Sequence, residues 1–227
     1  MKVTFLGTAA GQPSLKRNVT SIAIEMDNSK IILVDCGEAT LHQFMKSKLK
    51  ISNIHTILIT HLHGDHIYGL PGLCCTMSDV RTEPLHIYGP RGLNKYCDMF
   101  RRSVYFEIVV HEIFIDFINV TTIKTSAFRY IIEACHVRHT TECYAYSITK
   151  SRIKPKIIIE KLQPIINANK EAITEMGISP PNKIIDSLIK NKEVFIEKTH
   201  VNIKLEDFIR HDSSFKIIIA MDNSNCD

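Results

Sequence analysis

Ile59-Thr60-His61-Leu62-His63-Gly64-Asp65-His66 places three imidazoles and a carboxylate in six consecutive residues, directly after an apolar run. Residues 54–60 are predicted as a buried strand, with the polar cluster on the loop at its end. Imidazole and carboxylate suit zinc and similar divalent ions. Four donors so close in sequence cannot all reach one ion without strain. The spacing therefore predicts a division: His61 and His63 toward one metal, Asp65 and His66 toward a neighbour. A chance polar surface loop would not combine these residue types, this spacing and a strand end, which together suit two-metal hydrolysis.

Working outward, the composition is globular, with 44% apolar and 23% charged residues in a chain of 227. That length supports one substantial core, with room for two small domains. No stretch has the length and apolar character of a membrane span, so no membrane association is expected. Met1-Lys2-Val3-Thr4-Phe5 runs straight into a strand pattern and lacks the charged and apolar regions of a signal peptide. The seven cysteines are an odd number, mostly inside apolar segments, and no Cys-x-x-Cys pair occurs. They read as reduced thiols of an intracellular protein, cytoplasmic or nuclear and not secreted. Net charge is +4, unevenly spread. Residues 150–204 carry 11 Lys/Arg against 6 Asp/Glu, and the remainder 17 against 18. A polyanion is the natural partner of such a basic segment, although a solvated lysine-rich surface has the same composition.

The expected order of elements is that of a layered α/β domain. Strands are predicted at 2–7, 20–26, 30–35, 54–60 and 85–88, helices at 40–48, 66–78 and 93–104, and β-like alternation over 105–149. Lys154-Pro155, Gln163-Pro164 and Ser179-Pro180-Pro181 punctuate residues 150–204, which read as an inserted arm with short helices at 169–176 and 183–191. Residues 215–221 return to a buried strand that ends on Asp222.

Two metals need further donors. His139 precedes the clear strand 143–148, and His136 is its competitor. Asp222 ends a buried strand, where a carboxylate is costly unless it is paired or bound to a cation, so it is a candidate bridge between two ions. Asp35 ends another apolar strand and is expected to orient a ligand histidine. His42, His55, His86, His111, His200 and His211 have no partners at ligand spacing and read as ordinary histidines.

These residues together resemble the metallo-β-lactamase superfamily, and within it the short-form tRNase Z (ribonuclease Z) endonucleases. The resemblance runs through Phe5-Leu6-Gly7-Thr8, Arg17-Asn18, Asp35-Cys36-Gly37-Glu38-Ala39-Thr40 with Gln43, the histidine cluster, Gly69-Leu70-Pro71-Gly72-Leu73, Ile87-Tyr88-Gly89-Pro90, His139 with Tyr144-Ala145-Tyr146, and Met221-Asp222-Asn223. It implies an α/β fold, the αββα sandwich of that superfamily. Residues 1–149 would be the first half of the core with the metal loop, 150–204 an inserted basic tRNA-binding arm, and 205–227 the start of a second half. It implies that His61, His63 and His139 hold one zinc, Asp65 and His66 the other, and Asp222 lies between them. Manganese or iron would suit the same donors. The implied activity is removal of the 3′ trailer from precursor tRNA. A water between the cations would be the nucleophile, and Asp65 would orient it and accept its proton. Lys183, Lys190, Lys192 and Lys198 become candidate phosphate contacts, precursor tRNA the partner, and a homodimer the expected assembly.

Three features depart from the family pattern. The arm has Pro180-Pro181 with Gly177 upstream in place of a Gly-Pro turn. The bridging motif is Met-Asp-Asn rather than Gly-Asp-Thr. Only Asn223-Ser224-Asn225-Cys226-Asp227 follow the bridging aspartate, so a further histidine ligand and the rest of the second sheet are missing from the pattern. On this reading the second metal site is incomplete, one face of the first sheet lacks its partner layer, and activity is weak or lost. Two other readings accompany it: a non-catalytic truncated homologue that binds tRNA or a partner chain, and a different hydrolase of the superfamily.

Overall fold

Along the strands at 21–25 and 31–34 both faces are apolar, and each face joins a different core. The computed structural model describes residues 1–114, 117–153, 156–210 and 214–224, so Pro155, His211 and Cys226 fall outside it. Strands β1 (Lys2–Gly7), β2 (Ser21–Glu25) and β3 (Ile31–Val34) pair antiparallel in succession. Helix α1 (Thr40–Lys46) then leads to β4 (Ile54–Leu58), which lies parallel to β3. Helices α2 (Gly64–Ile67) and α3 (Leu70–Met77) lead to β5 (Leu85–Gly89), and α4 (Leu93–Asp98) leads to β6 (Ile108–Glu112), both parallel additions. The six strands form one sheet in chain order. Parallel strands buried on both faces need near-continuous apolar sequence, and Ile31-Ile32-Leu33-Val34 and Ile57-Leu58-Ile59 provide it.

The period of two divides these residues cleanly. Leu33, Ile57 and Ile87 point to the face covered by α1 to α4, where they meet Phe44, Leu73 and Leu93. Ile32, Val34 and Leu58 point the other way, against Tyr130, Ile132 and Tyr146. Those partners come from a second sheet made of β7 (Phe117–Lys124), β8 (Phe128–Val137) and β9 (Cys143–Arg152).

After β9 the chain enters a second compact unit, residues 151–214, and then returns. The second unit contains β10 (Lys156–Ile157), α5 (Ile159–Ala168), α6 (Lys170–Glu175), α7 (Ile184–Asn191), β11 (Glu193–Ile196), β12 (Val201–Lys204) and β13 (Ile209–Arg210). The returning strand β14 (Phe215–Ile219) pairs antiparallel with β9 and completes a four-stranded sheet, in the order β14-β9-β8-β7.

The expected loss of a partner layer on the first sheet is therefore wrong. Residues 117–152 and 215–219 supply that layer, and Ile22, Ile24, Ile32 and Val34 are buried beneath it. Three tyrosines tie the layers together. Tyr146 donates its hydroxyl to the Ile59 carbonyl (2.8 Å), Tyr144 shares its hydroxyl proton between the Ile113 carbonyl (3.2 Å) and Glu142 Oε1 (2.9 Å), and Tyr130 donates to Asp27 Oδ1. Burial raises the Tyr146 and Tyr130 phenols, so both stay protonated and able to donate. The outer face of the second sheet is polar where Ser147 and Lys216 both reach Glu133. Among the described residues of the first unit no helix joins the second sheet's core, which gives three layers there.

The second unit has its own core, in which Leu162, Ile166, Ile173, Ile184 and Leu188 meet Val194, Ile196 and Ile203. Gln163-Pro164, expected to punctuate, lies inside α5, whose buried Leu162 and Ile166 hold the helix despite the missing Pro164 N–H. Gly177 ends α6 as expected, with φ +77 and the Ile178 N–H bonded back to the Ile173 carbonyl. The unit extends ten residues past the expected end of the arm. Glu206, Asp207 and Asp212 fall within it, so it carries 11 Lys/Arg against 9 Asp/Glu and its positive excess shrinks.

Candidate metal centre

Three parallel strands end side by side, and the loops leaving them build the site, as in other open α/β sheets. Asp35 follows β3, residues 61–66 follow β4, and Gly89-Pro90-Arg91-Gly92 lies at the end of β5. The second sheet contributes His139, just before β9, and Asp222, just after β14. Asp35 and Asp222 both adopt positive φ (56° and 41°). Aspartate tolerates this left-handed conformation better than most residues, and it turns each carboxylate back over its strand end.

The donors fall into two groups that share one carboxylate. His61, His63, His139 and Asp222 offer ligand atoms within 4.8 Å of one another, as do Asp65, His66 and Asp222. Asp222 Oδ2 lies 3.5 Å from His61 Nε2, 3.4 Å from His66 Nε2 and 3.9 Å from His139 Nε2. Asp65 Oδ2 lies 3.4 Å from His66 Nε2 and accepts the Gly11 N–H at 2.8 Å. Of the two competing histidines, His139 joins the cluster, and His136 packs edge-on against the Tyr144 ring.

Asp35, fully buried, orients the imidazoles. It accepts the Thr60 N–H (2.8 Å), the Thr60 hydroxyl (2.9 Å) and His66 Nδ1–H (2.7 Å). The Thr60 hydroxyl proton is thus directed at Asp35, and its oxygen is left to accept His61 Nδ1–H at 3.1 Å. One carboxylate therefore fixes both tautomers and leaves Nε2 of His61 and His66 as lone pairs. His66 Nε2 is buried without a hydrogen-bond partner, and His61 Nε2 faces His63 Nδ1 at 3.0 Å. His139 Nε2 approaches the same His63 nitrogen at 3.3 Å. Lone pairs facing each other beside two carboxylates fit a cation, and the cluster is compatible with metal binding.

The electrostatics differ between the two histidines. Burial, the neighbouring His66 and the two other imidazoles hold His61 down to about 4, against the pull of Asp222, so it is neutral and free to donate a lone pair. Burial also lowers His66, but the hydrogen bond and charge of Asp35, with Asp65 and Asp222, outweigh it and raise this group.

The Asp-Cys-Gly segment serves as the floor. Cys36 N–H donates to the His66 carbonyl (2.7 Å), and its own carbonyl accepts the Gly69 N–H (2.9 Å). A Cβ on Gly37 would lie 2.2 Å from the Asp65 carbonyl oxygen, so only glycine allows the two loops to touch. Ser224 N–H and hydroxyl both donate to the Arg138 carbonyl, fastening the Asp222 turn to the His139 loop.

Two features were not anticipated. Arg17, Asn18 and Gln43 meet Lys16, His42 and Lys46 around a cavity of about 580 Å³. His86 and His111, read as unpartnered, stack at 5.3 Å with Nδ1 and Nε2 3.0 Å apart, because β5 and β6 place them on neighbouring strands of one face. Separation in sequence hid both. Lys183, Lys190, Lys192 and Lys198, the candidate phosphate contacts, are exposed on the second unit, and Lys198 is paired with Glu175.

An open sheet with a donor cluster at the carboxyl ends of its strands defines a metallohydrolase-like protein. The model of the family described as Anti-Pycsar protein Apyc1 matches residues 1–159. A ribonuclease Z of Prochlorococcus marinus is 32% identical, over 96% of this chain and 77% of its own length. The human short-form tRNase Z structure superposes with a TM-score of 0.58 at 33% identity, covering 65% of this chain and 64% of that one. The metallo-β-lactamase fold protein YhfI of Bacillus subtilis follows at 0.50 and 21% identity, which bears on fold alone. The chain belongs to the ribonuclease Z family, and its residues 1–159 also belong to the family of the Apyc1 model.

Proposed function

We propose that this chain is a zinc-dependent endoribonuclease that removes the 3′ trailer from precursor tRNA. The observation that carries the reading is the shared carboxylate: Asp222 Oδ2 stands between the group of His61, His63 and His139 and the group of Asp65 and His66. These residues would hold two zinc ions, with Asp222 between them. Such ions, when bound, supply the acidity that makes water nucleophilic near neutral pH and the charge that offsets a developing phosphorane. Asp65, anchored by the Gly11 N–H, would accept the proton lost by the attacking water. Asp35 keeps His61 and His66 in their donating tautomers. Lys16, Arg17 and Lys46 around the 580 Å³ cavity, and Lys183, Lys190 and Lys192 on the second unit, offer positive charge to the phosphates of tRNA. The short-form relatives lead us to expect a homodimer, which light scattering of the purified protein checks.

The decisive assay is cleavage of a precursor tRNA by the purified protein, with chelator and with zinc restored. Trailer release that is lost with chelator and regained with zinc is the expected outcome. Hydrolysis of a small phosphodiester with no action on precursor tRNA would replace this reading by another hydrolase of the same fold. Binding of the tRNA without cleavage would replace it by a non-catalytic role.

A further inference from the structure

Beside the metal centre an arginine and an aromatic ring are held together with no role in the chemistry described above. Arg91, in the loop after β5, lays its guanidinium 5.4 Å from the centre of the Phe114 ring. Both are open to solvent, at 64% for the Arg91 side chain and 60% for Phe114. Neither position is loose at its base. The Ile113 N–H donates to the Gly89 carbonyl at 2.8 Å, which fixes the backbone under Phe114 to the strand end that launches Arg91. Glu142 holds the other side. It accepts the Arg91 backbone N–H (3.3 Å), lies 3.9 Å from Arg91 Nε and accepts the Tyr144 hydroxyl (2.9 Å).

The backbone around Arg91 and its partner Glu142 also border the loops that carry the ligands. Glu142 is three residues from His139, in the loop that carries it. On the opposite side, a Cβ on Gly92 would lie 3.2 Å from Leu62 Cδ1, and Leu62 separates the ligand histidines His61 and His63. Among the described residues the terminal guanidinium nitrogens have no further hydrogen-bond partner. An exposed ion pair at 3.9 Å contributes little stability, so folding does not account for the arrangement. A planar cation within cation–π reach of an exposed ring, with its terminal nitrogens free, has the chemistry that stacks an unpaired base and bonds its phosphate.

We infer that Arg91, supported by Phe114 and Glu142, is a specificity-determining stacking platform for an unpaired nucleobase adjacent to the scissile phosphate. This rests on the reading of the chain as an RNA-cleaving enzyme. It predicts that substrates with a base at that position bind through Arg91, whereas a small phosphodiester does not use it.

The test places 2-aminopurine at the first trailer nucleotide of a precursor tRNA and compares the wild type with Arg91→Ala, Arg91→Lys and Phe114→Ala. Fluorescence should be quenched on binding to the wild type and much less on binding to any variant, since lysine keeps the charge but loses the plane. KM for the precursor should rise roughly five- to a hundredfold for Arg91→Ala, the range of one base stack. Its kcat, zinc content and rate on bis(p-nitrophenyl) phosphate should stay within about twofold, because no ligand is touched. Unchanged KM and quenching in Arg91→Ala, with an active wild type, would overturn this inference alone. A parallel fall on the small phosphodiester would also overturn it, by showing that Arg91 merely positions the His139 loop. A wild type that neither binds nor cuts precursor tRNA would overturn the functional reading first, and this inference with it.

Discussion

Among the described residues, two places in the first unit bring imidazole nitrogens to within 3.0 Å of each other, and only one of the two resembles a metal site. His61 Nε2 faces His63 Nδ1, and His86 Nδ1 faces His111 Nε2, at the same separation. The first pair converges with His139 and Asp222, and Asp35 fixes which nitrogen of His61 is a lone pair. The second pair lies flat on the sheet. His111 stacks on the Tyr88 ring at 4.3 Å, and among the described residues no carboxylate completes a donor group there. Proximity of histidines is therefore not the signal. What matters is whether neighbouring groups set the tautomers and whether an anion waits where the lone pairs meet.

The largest effect should separate the pairs outright. If the proposed ligand set holds, His63→Ala and Asp222→Ala each remove a metal ligand, and trailer cleavage should fall by more than about 100-fold with loss of bound metal. His86→Ala and His111→Ala should keep both cleavage and zinc within about twofold. Metal analysis beside a cleavage time course checks this. Zinc loss from the His86 or His111 variant would erase the distinction.

A smaller effect tests the reason for the distinction. Asp35→Asn keeps the shape but cannot accept from both Thr60 and His66 in the same way, so either histidine can take the wrong tautomer. The expected result is a loss of about 10- to 100-fold in zinc affinity, as for other residues that orient metal ligands. Excess zinc should restore much of the cleavage in Asp35→Asn and little in Asp222→Ala. Equal rescue of the two would assign Asp35 a ligand's role.

How much of this the sequence discloses depends on how local the cause is. The division of His61 and His63 from Asp65 and His66 could be read from spacing, because six residues on one tight turn leave few geometries. Asp35 and Asp222 could be read because a carboxylate ending an apolar strand needs a partner. The link from Asp35 through Thr60 to His61 could not, since it depends on a hydroxyl proton's direction. The second sheet was underestimated for a related reason. Strands β7 to β9 alternate clearly, but nothing in their residues states that they fold over Ile32 and Val34. Helix α5 was missed because Pro164 reads as a break, although Leu162 and Ile166 bury one face around it. The His86–His111 contact needs the register of β5 against β6, which pairs Tyr88 with His111.

The smallest effect concerns that stacked pair, and its sign follows from proton counting. Burial and then the neighbouring His86 lower His111, so folding disfavours its protonated form. Above about pH 6.5 the imidazole is neutral in the folded and unfolded chain alike, and it adds no pH dependence. As pH falls below that value the unfolded chain takes up a proton that the folded chain resists, so stability drops until the lowered folded value is reached. His111→Gln removes this titration while keeping a side chain that can bond His86. Thermal unfolding of the zinc-free protein between pH 7.5 and about 5 should show a shallower loss of Tm in the variant. The difference should be small because the ring is only partly buried and solvent screens it. A steeper loss in His111→Gln would mean that His86 and His111 share a proton and stabilise each other, making this pair, too, a site of charge.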